Sequence, residues 1–139
     1  MVIAYSDRMN FDSSIETHFD KNICRGDKTH SFRKKSKRTY KSGQTLHHSY
    51  HVRTPKQKCF SKTTCTGVQK AVFSKTESGR ISLTIDSHSI TGRLLHEVAY
   101  NDGFGNLHEF EQWFLQVLEK EKTDNLEMVL VHWTPIRYK

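Results

Sequence analysis

Apolar residues recur at every fourth position at Phe11, Ile15, Phe19 and Ile23, which puts them on one face of a helix over Phe11 to Cys24. Ser13 followed by Glu16 gives that helix a capping-box start, and Gly26 gives it a stop. Thr29 to Arg33 then alternates as a strand does, with Thr29, Ser31 and Arg33 on one side and His30 and Phe32 on the other. A polar, basic loop follows as far as the turn at Ser42-Gly43. From Gln44 to Ile90 β-branched, aromatic and polar residues come in short runs separated by Pro55, Gly67 and Ser78-Gly79. These runs predict strands over Thr45 to Arg53, Lys58 to Phe73 and Arg80 to Asp86. The middle one is either a single strand bent near Gly67 or two strands. Ile81, Leu83 and Ile85 share one face of the last and belong inside.

Two helices are predicted next. The first spans about Thr91 to Asn101, with Leu94, Leu95 and Val98 inward and Gly103 free to make a left-handed turn. The second starts from an Asn106 cap with Glu109 three residues on, and carries an inward stripe of Leu107, Phe110, Trp113, Phe114, Val117 and Leu118. Leu126 to Trp133 closes the chain as a buried strand, with Val129 and Val131 inside. The order predicts one α+β domain over residues 1–139, with a mostly antiparallel sheet curled into a small β-barrel and flanked by three helices.

Composition narrows the function classes. The chain has 139 residues, 35% hydrophobic and 27% charged, which suits a single soluble core. No apolar run approaches a membrane span, so no membrane partner is expected. Cys24, Cys59 and Cys65 are odd in number and form no CxxC pair. That pattern points to a reducing, cytoplasmic setting and to neither a disulfide framework nor a zinc ribbon. His47, His48 and His51 invite a metal reading, but neighbouring strand residues face opposite ways, so neither a metal site nor a cofactor is assigned. The formal net charge is +7 and is unevenly spread: residues 1–70 hold 15 Lys/Arg against 5 Asp/Glu, and residues 71–139 hold 7 against 10. Its densest cluster, Lys34, Lys35, Lys37, Arg38 and Lys41 beside Arg33, is the expected contact for an anionic partner such as RNA. Tyr40, Tyr50, Phe60 and Tyr100 are the aromatics placed to stack on a base.

Gly26-Asp27-Lys28-Thr29-His30-Ser31-Phe32-Arg33, followed by Lys41-Ser42-Gly43-Gln44-Thr45-Leu46, resembles the G-x-K-x-x-T-x-R...K-x-G-D-x-L signature of ASCH domains, which are small PUA-like β-barrels. Ala99 to Phe104, then Phe110, Trp113-Phe114 and Val131 to Thr134, is similar to the tail of phage-type ASCH-like proteins. The resemblance implies a basic cleft for RNA or a nucleoside. For the bacterial members it also implies an amidohydrolase that removes acyl groups from N4 of cytidine with a Lys, a Thr and a Glu. Carried over position by position, these become Lys28, Ser31 in place of threonine, and Asp102 in place of glutamate. The Gly-Asp turn is also changed, to Gly43-Gln44.

A serine hydroxyl needs a base within reach, and a lysine can serve once burial or a neighbouring cation lowers its pKa. Arg33 is a candidate for that neighbour, and Asp102 for positioning the Lys28 ammonium. Arg33, Tyr100 and Arg53 are the expected substrate contacts. Two function classes follow: a hydrolase of N4-acylated cytidine or a related nucleoside amide, or a module that holds RNA or a modified nucleotide without turnover. A third, implied by the resemblance to phage-type proteins alone, is a phage-encoded inhibitor that uses its basic surface against a host nucleoprotein.

Overall fold

The computed structural model describes residues 1–139 as eight strands and three helices. In chain order these are β1 (Val2–Tyr5), α1 (Phe19–Arg25), β2 (His30–Lys34), β3 (Thr45–Tyr50), β4 (Lys58–Thr64), β5 (Gly67–Lys75), β6 (Ile81–Ile85), β7 (His88–Ile90), α2 (Gly92–Asn101), α3 (Leu107–Lys120) and β8 (Asn125–His132). They build two sheets, a three-stranded one in the order β1-β3-β4 and a five-stranded one in the order β2-β8-β5-β6-β7. All pairings are antiparallel except β1 with β3, which is parallel. The class is α+β, as expected, but the sheets do not close into a barrel. The chain crosses from one sheet to the other at Cys65-Thr66, where the Cys65 N–H donates to the Gln44 carbonyl and the Thr66 N–H to the His132 carbonyl. On the opposite side β1 and β2 are both sheet edges, and the seam between them stays open.

The final strand explains how one chain fills both layers. Met128 and Leu130 of β8 enter the larger core with Phe32, Phe73, Phe110 and Phe114. Val131 joins Ile3, Leu46 and Cys65 between the sheets, with the half-buried Val129 packed against them. A strand buried on both faces reads as a continuous apolar run, which is the form Met128 to Val131 takes. Ile81, Leu83 and Ile85 are all buried in the larger core. α3 lies over this sheet with its cap as expected: the Asn106 side chain accepts from the Glu109 N–H at 2.9 Å. Phe73 and Phe114 stack at 4.1 Å between centroids, which locks helix to sheet.

Several elements differ from the sequence reading. The first helix covers only Phe19–Arg25. Ahead of it, the Asp12 carboxylate accepts from both the N–H and the hydroxyl of Ser14. Met9 N–H donates to the Ile15 carbonyl, and Thr17 N–H to the Asp7 carbonyl. Short polar side chains here offer the backbone a local alternative to the helix, so Phe11 and Ile15 reach the core from a folded loop. The segment from Lys58 to Phe73 is two strands that part at Gly67. There φ is 150°, and a Cβ would lie 2.8 Å from the Arg137 guanidinium. Two short strands, Val2–Tyr5 and His88–Ile90, were not predicted at all.

Candidate functional site

Lys28 and Asp102 meet because one backbone bond joins the turn before β2 to the end of α2, and side chains from α1 and from the residue after β8 brace the two segments. The Thr29 N–H donates to the Asn101 carbonyl at 2.7 Å, the Asn22 side chain donates to the Gly103 carbonyl at 2.9 Å, and the Trp133 indole donates to the Lys28 carbonyl at 3.2 Å. Gly103 makes the approach possible. Its φ is +91°, and a Cβ at this position would lie 2.9 Å from Lys28 Cδ. The Lys28 side chain is 2% exposed and its three protons are all engaged. Nζ donates to the Asp102 carboxylate at 3.1 Å, to the Asp102 carbonyl at 2.5 Å and to the His30 carbonyl at 2.9 Å. Burial pulls its pKa down to about 8, with the facing Asp102 charge opposing the shift and Arg33 adding to it.

Ser31 and Arg33 project from the same face of β2 into the open seam. Arg33 Nε donates to Ser31 Oγ at 3.0 Å, and its Nη1 reaches across to the Ala4 carbonyl of β1 at 2.6 Å. The guanidinium lies 4.7 Å from the centre of the Tyr5 ring, and Lys28 Nζ lies 4.7 Å from that of Phe19. Tyr5 is oriented by His48, its hydroxyl 2.8 Å from Nδ1, while His48 Nε2 is 2.7 Å from the Thr63 hydroxyl. Burial raises the Tyr5 phenol well above its ordinary value, chiefly against the opposing charge of Arg33. It pushes His48 down to about 3, with Lys28 and Arg33 adding to the effect, so the imidazole is neutral.

These groups surround a small pocket of about 70 Å³ lined by Tyr5, Phe19, Lys28, Ser31, Arg33 and Asp102 among others. It opens into an outer groove of about 440 Å³, and Ser6, Phe32, Arg33, Trp113 and Phe114 belong to both. The inner pocket is thus lined by two cations, Lys28 and Arg33, one carboxylate, Asp102, and the hydroxyl residues Tyr5, Ser6 and Ser31, in a space that fits a small polar group. The excess of positive charge suits an oxygen that gains negative charge during reaction.

Of the residues expected from sequence, the structure gathers Lys28, Ser31, Asp102 and Arg33 in this pocket. Tyr100 is 57% exposed on α2, outside the pocket. Arg53 sits in the exposed turn between β3 and β4 and is likewise remote from the pocket lining. The basic loop is partly neutralised from afar: Lys34 pairs with Glu121 at 2.6 Å, and Lys35 with Glu127 at 3.2 Å. Lys37, Arg38 and Lys41 are exposed and form no ion pair. His47 and His48 do not converge with His51: His48 is spent on Tyr5 and Thr63, and His51 lies 3.5 Å from Asp7. Tyr5, His30 and Tyr138 were missed. Val2 to Tyr5 is too short a run to mark a strand by its pattern, and nothing in the sequence links Tyr5 to Ser31.

No protein-family model, no curated protein and no solved structure matches this chain.

Proposed function

We propose that the chain is a small amidohydrolase that removes a short acyl group from the exocyclic amine of cytidine or a related nucleoside, on a PUA-like, ASCH-type scaffold left open at one seam. The observation that carries this reading is the convergence of Lys28, Ser31, Asp102 and Arg33 on one small pocket from positions 74 residues apart in the chain. Ser31 Oγ, polarised by Arg33, attacks the acyl carbon. Its proton passes to a neutral Lys28 and then to the leaving nitrogen, and water releases the acyl group from Ser31. Asp102 holds Lys28 in place. The inner pocket matches an acyl group in size, and the outer groove leaves room for a base and sugar against Trp113. Incubation with N4-acetylcytidine, followed by the release of free cytidine, tests the reading. Saturable binding without cytidine release would replace it with the binding-module reading.

One observation favours nucleic-acid binding as a second property. From Lys28 to Thr76 the chain has 13 Lys/Arg and no Asp or Glu. Among those cations Lys37, Arg38, Lys41, Arg53, Lys56, Lys58 and Lys62 are exposed and form no ion pair. They run from the loop before β3 along β4 to the β3–β4 turn, a length of roughly 20 Å at the rise of a strand. If RNA lies along this hairpin, log affinity falls linearly with log salt. Neutralising Lys37, Arg38, Lys41 and Lys62 together should flatten that slope by about one unit per lost phosphate contact. The paired Lys34 and Lys35 should contribute less. Turnover of a free nucleoside, which has no phosphate, should be indifferent to these changes. An unchanged slope would remove the hairpin from the RNA-binding surface.

A further inference from the structure

Behind the pocket lies a buried chain of polar groups that ends on Asp102 and whose other members the proposed hydrolysis does not use. Asn101 Nδ2 is 3.0 Å from the Tyr138 hydroxyl, which is 2.6 Å from His30 Nε2, and His30 Nδ1 is 3.2 Å from Asp102 Oδ1. His30 is fully buried, and Tyr138 and Asp102 are nearly so. Donor and acceptor rules fix every proton along this chain. The Asn101 amide nitrogen can only donate, so the Tyr138 oxygen accepts from it and its own proton goes to His30 Nε2. The remaining ring proton must then sit on Nδ1, where it donates to the Asp102 carboxylate. Burial holds His30 below its ordinary pKa, which keeps the ring in this neutral form.

The last residues are clamped so that this contact is made. Gln69 Nε2 donates to the Tyr138 carbonyl at 2.7 Å, Gln69 Oε1 accepts from the Tyr138 N–H at 3.2 Å, and Arg137 donates to Thr66 and Thr134. A structural clamp would need only these bonds. The Tyr138 hydroxyl is instead turned inward, to the histidine that shares an oxygen with Lys28.

We propose that Tyr138 is a positioning residue which, through His30, sets how much of the Asp102 negative charge is left to hold the Lys28 proton, so that the C-terminal segment is a working part of the site. The inference rests on the hydrolase reading for its catalytic meaning, but its physical content concerns Lys28 alone. The hydroxyl polarises the imidazole and strengthens the Nδ1–H bond to Asp102, and a carboxylate shared in this way attracts the Lys28 proton less. The charged and titratable groups around Lys28 are Asp102, His30, Arg33, Tyr5 and, behind Tyr5, His48. Only Asp102 and His30 belong to the relay.

The test is the titration of Lys28, followed by its ¹³Cε chemical shift in the full chain without substrate. In Tyr138→Phe, which keeps the ring and its packing, the midpoint should move upward. The expected size is roughly threefold in proton affinity, or about half a pH unit. Asn101→Ala, which weakens the hydroxyl from its other side, should move the midpoint in the same direction by less, and it serves in place of Tyr138→Phe if that variant does not fold. Turnover of N4-acetylcytidine by the same variants should show its rising pH limb displaced in parallel, with KM unchanged. An unmoved Lys28 midpoint in folded variants would overturn the relay, whether or not the wild-type chain hydrolyses the amide. Absence of turnover with a displaced midpoint would leave the relay standing and remove the hydrolase reading.

Discussion

Lys28→Met is expected to cost about 3–5 kcal/mol of folding stability at pH 7, read as a lowered urea midpoint with an unchanged slope. The substitution keeps the length of the apolar stem and removes only the ammonium. What remains is a carboxylate that is nearly buried, with His30 Nδ1–H as its remaining side-chain donor. The carbonyls of His30 and Asp102 also lose the donor they share. Removing one partner of a buried pair is costly because the other charge is left in a medium that solvates it poorly. Lys28→Met combined with Asp102→Asn should therefore cost much less than the two single changes added together, and a strictly additive double-mutant cycle would contradict the coupling.

The same pair makes wild-type stability depend on pH with a definite sign. Folding lowers the Lys28 pKa from 10.5 to about 8. Between these values the unfolded chain binds the proton that the folded chain has released, so stability rises with pH from about 8 upward. The increment should be absent in Lys28→Met. Tyr5 and Tyr138 act the other way, because burial raises both phenols and the unfolded chain ionises first. The rise should therefore be confined to the window from about pH 8 to 10, and stability should fall above it.

Much of the fold was legible because its elements are held by patterns local in sequence. The Asn106 cap and the apolar stripe after it predict α3 almost to the residue. The alternation of Ile81, Leu83 and Ile85, and the unbroken run at Met128 to Val131, predict β6 and β8. Phe11 to His18 misled because fourfold apolar spacing also serves a loop whose Asp12 and Ser14 bond each other. Barrel closure failed for a different reason. Whether two sheet edges meet depends on partners far apart in the chain, and the β1 edge presents its Ala4 carbonyl to the Arg33 side chain across the seam.

The site divides along the same line. Lys28, Ser31 and Arg33 lie within six residues and carry a recognisable spacing, and Asp102 came from the resemblance. The order of Tyr138, His30 and Asp102 could not be read, since each residue alone is an ordinary polar or aromatic position. Only the docking of the C-terminal segment on Gln69 brings them into line. Lys34 and Lys35 show the converse: a basic cluster with no acidic residue near it in sequence acquires Glu121 and Glu127 in space.

Under the proposed hydrolase reading, with Ser31 as nucleophile, Ser31→Ala is expected to lower kcat for N4-acetylcytidine by roughly 10³-fold or more while leaving binding nearly unchanged, since removal of a nucleophile commonly costs at least this much. Two features of this chain support that role for the hydroxyl. It shares a strand face with Arg33, whose Nε–H points at Oγ, and it lines the same pocket as a lysine drawn down toward neutrality. A nearby base that takes the proton is what lets a serine react near neutral pH, and the Arg33 cation stabilises the alkoxide as that proton leaves. Stability should change little, because Arg33, which donates to the Ser31 hydroxyl, is only half buried and keeps its bond to the Ala4 carbonyl. The wild-type rate should climb with pH through about 8 as Lys28 becomes neutral, and the residual rate of Ser31→Ala should keep that same limb if Lys28 then serves a water molecule instead. Near-wild-type kcat in Ser31→Ala would assign the attack to water activated by Lys28 and leave Ser31 a wall of the pocket. A loss of binding in step with kcat would show that the hydroxyl acts on the ground state, as a contact to the carbonyl rather than as the attacking group.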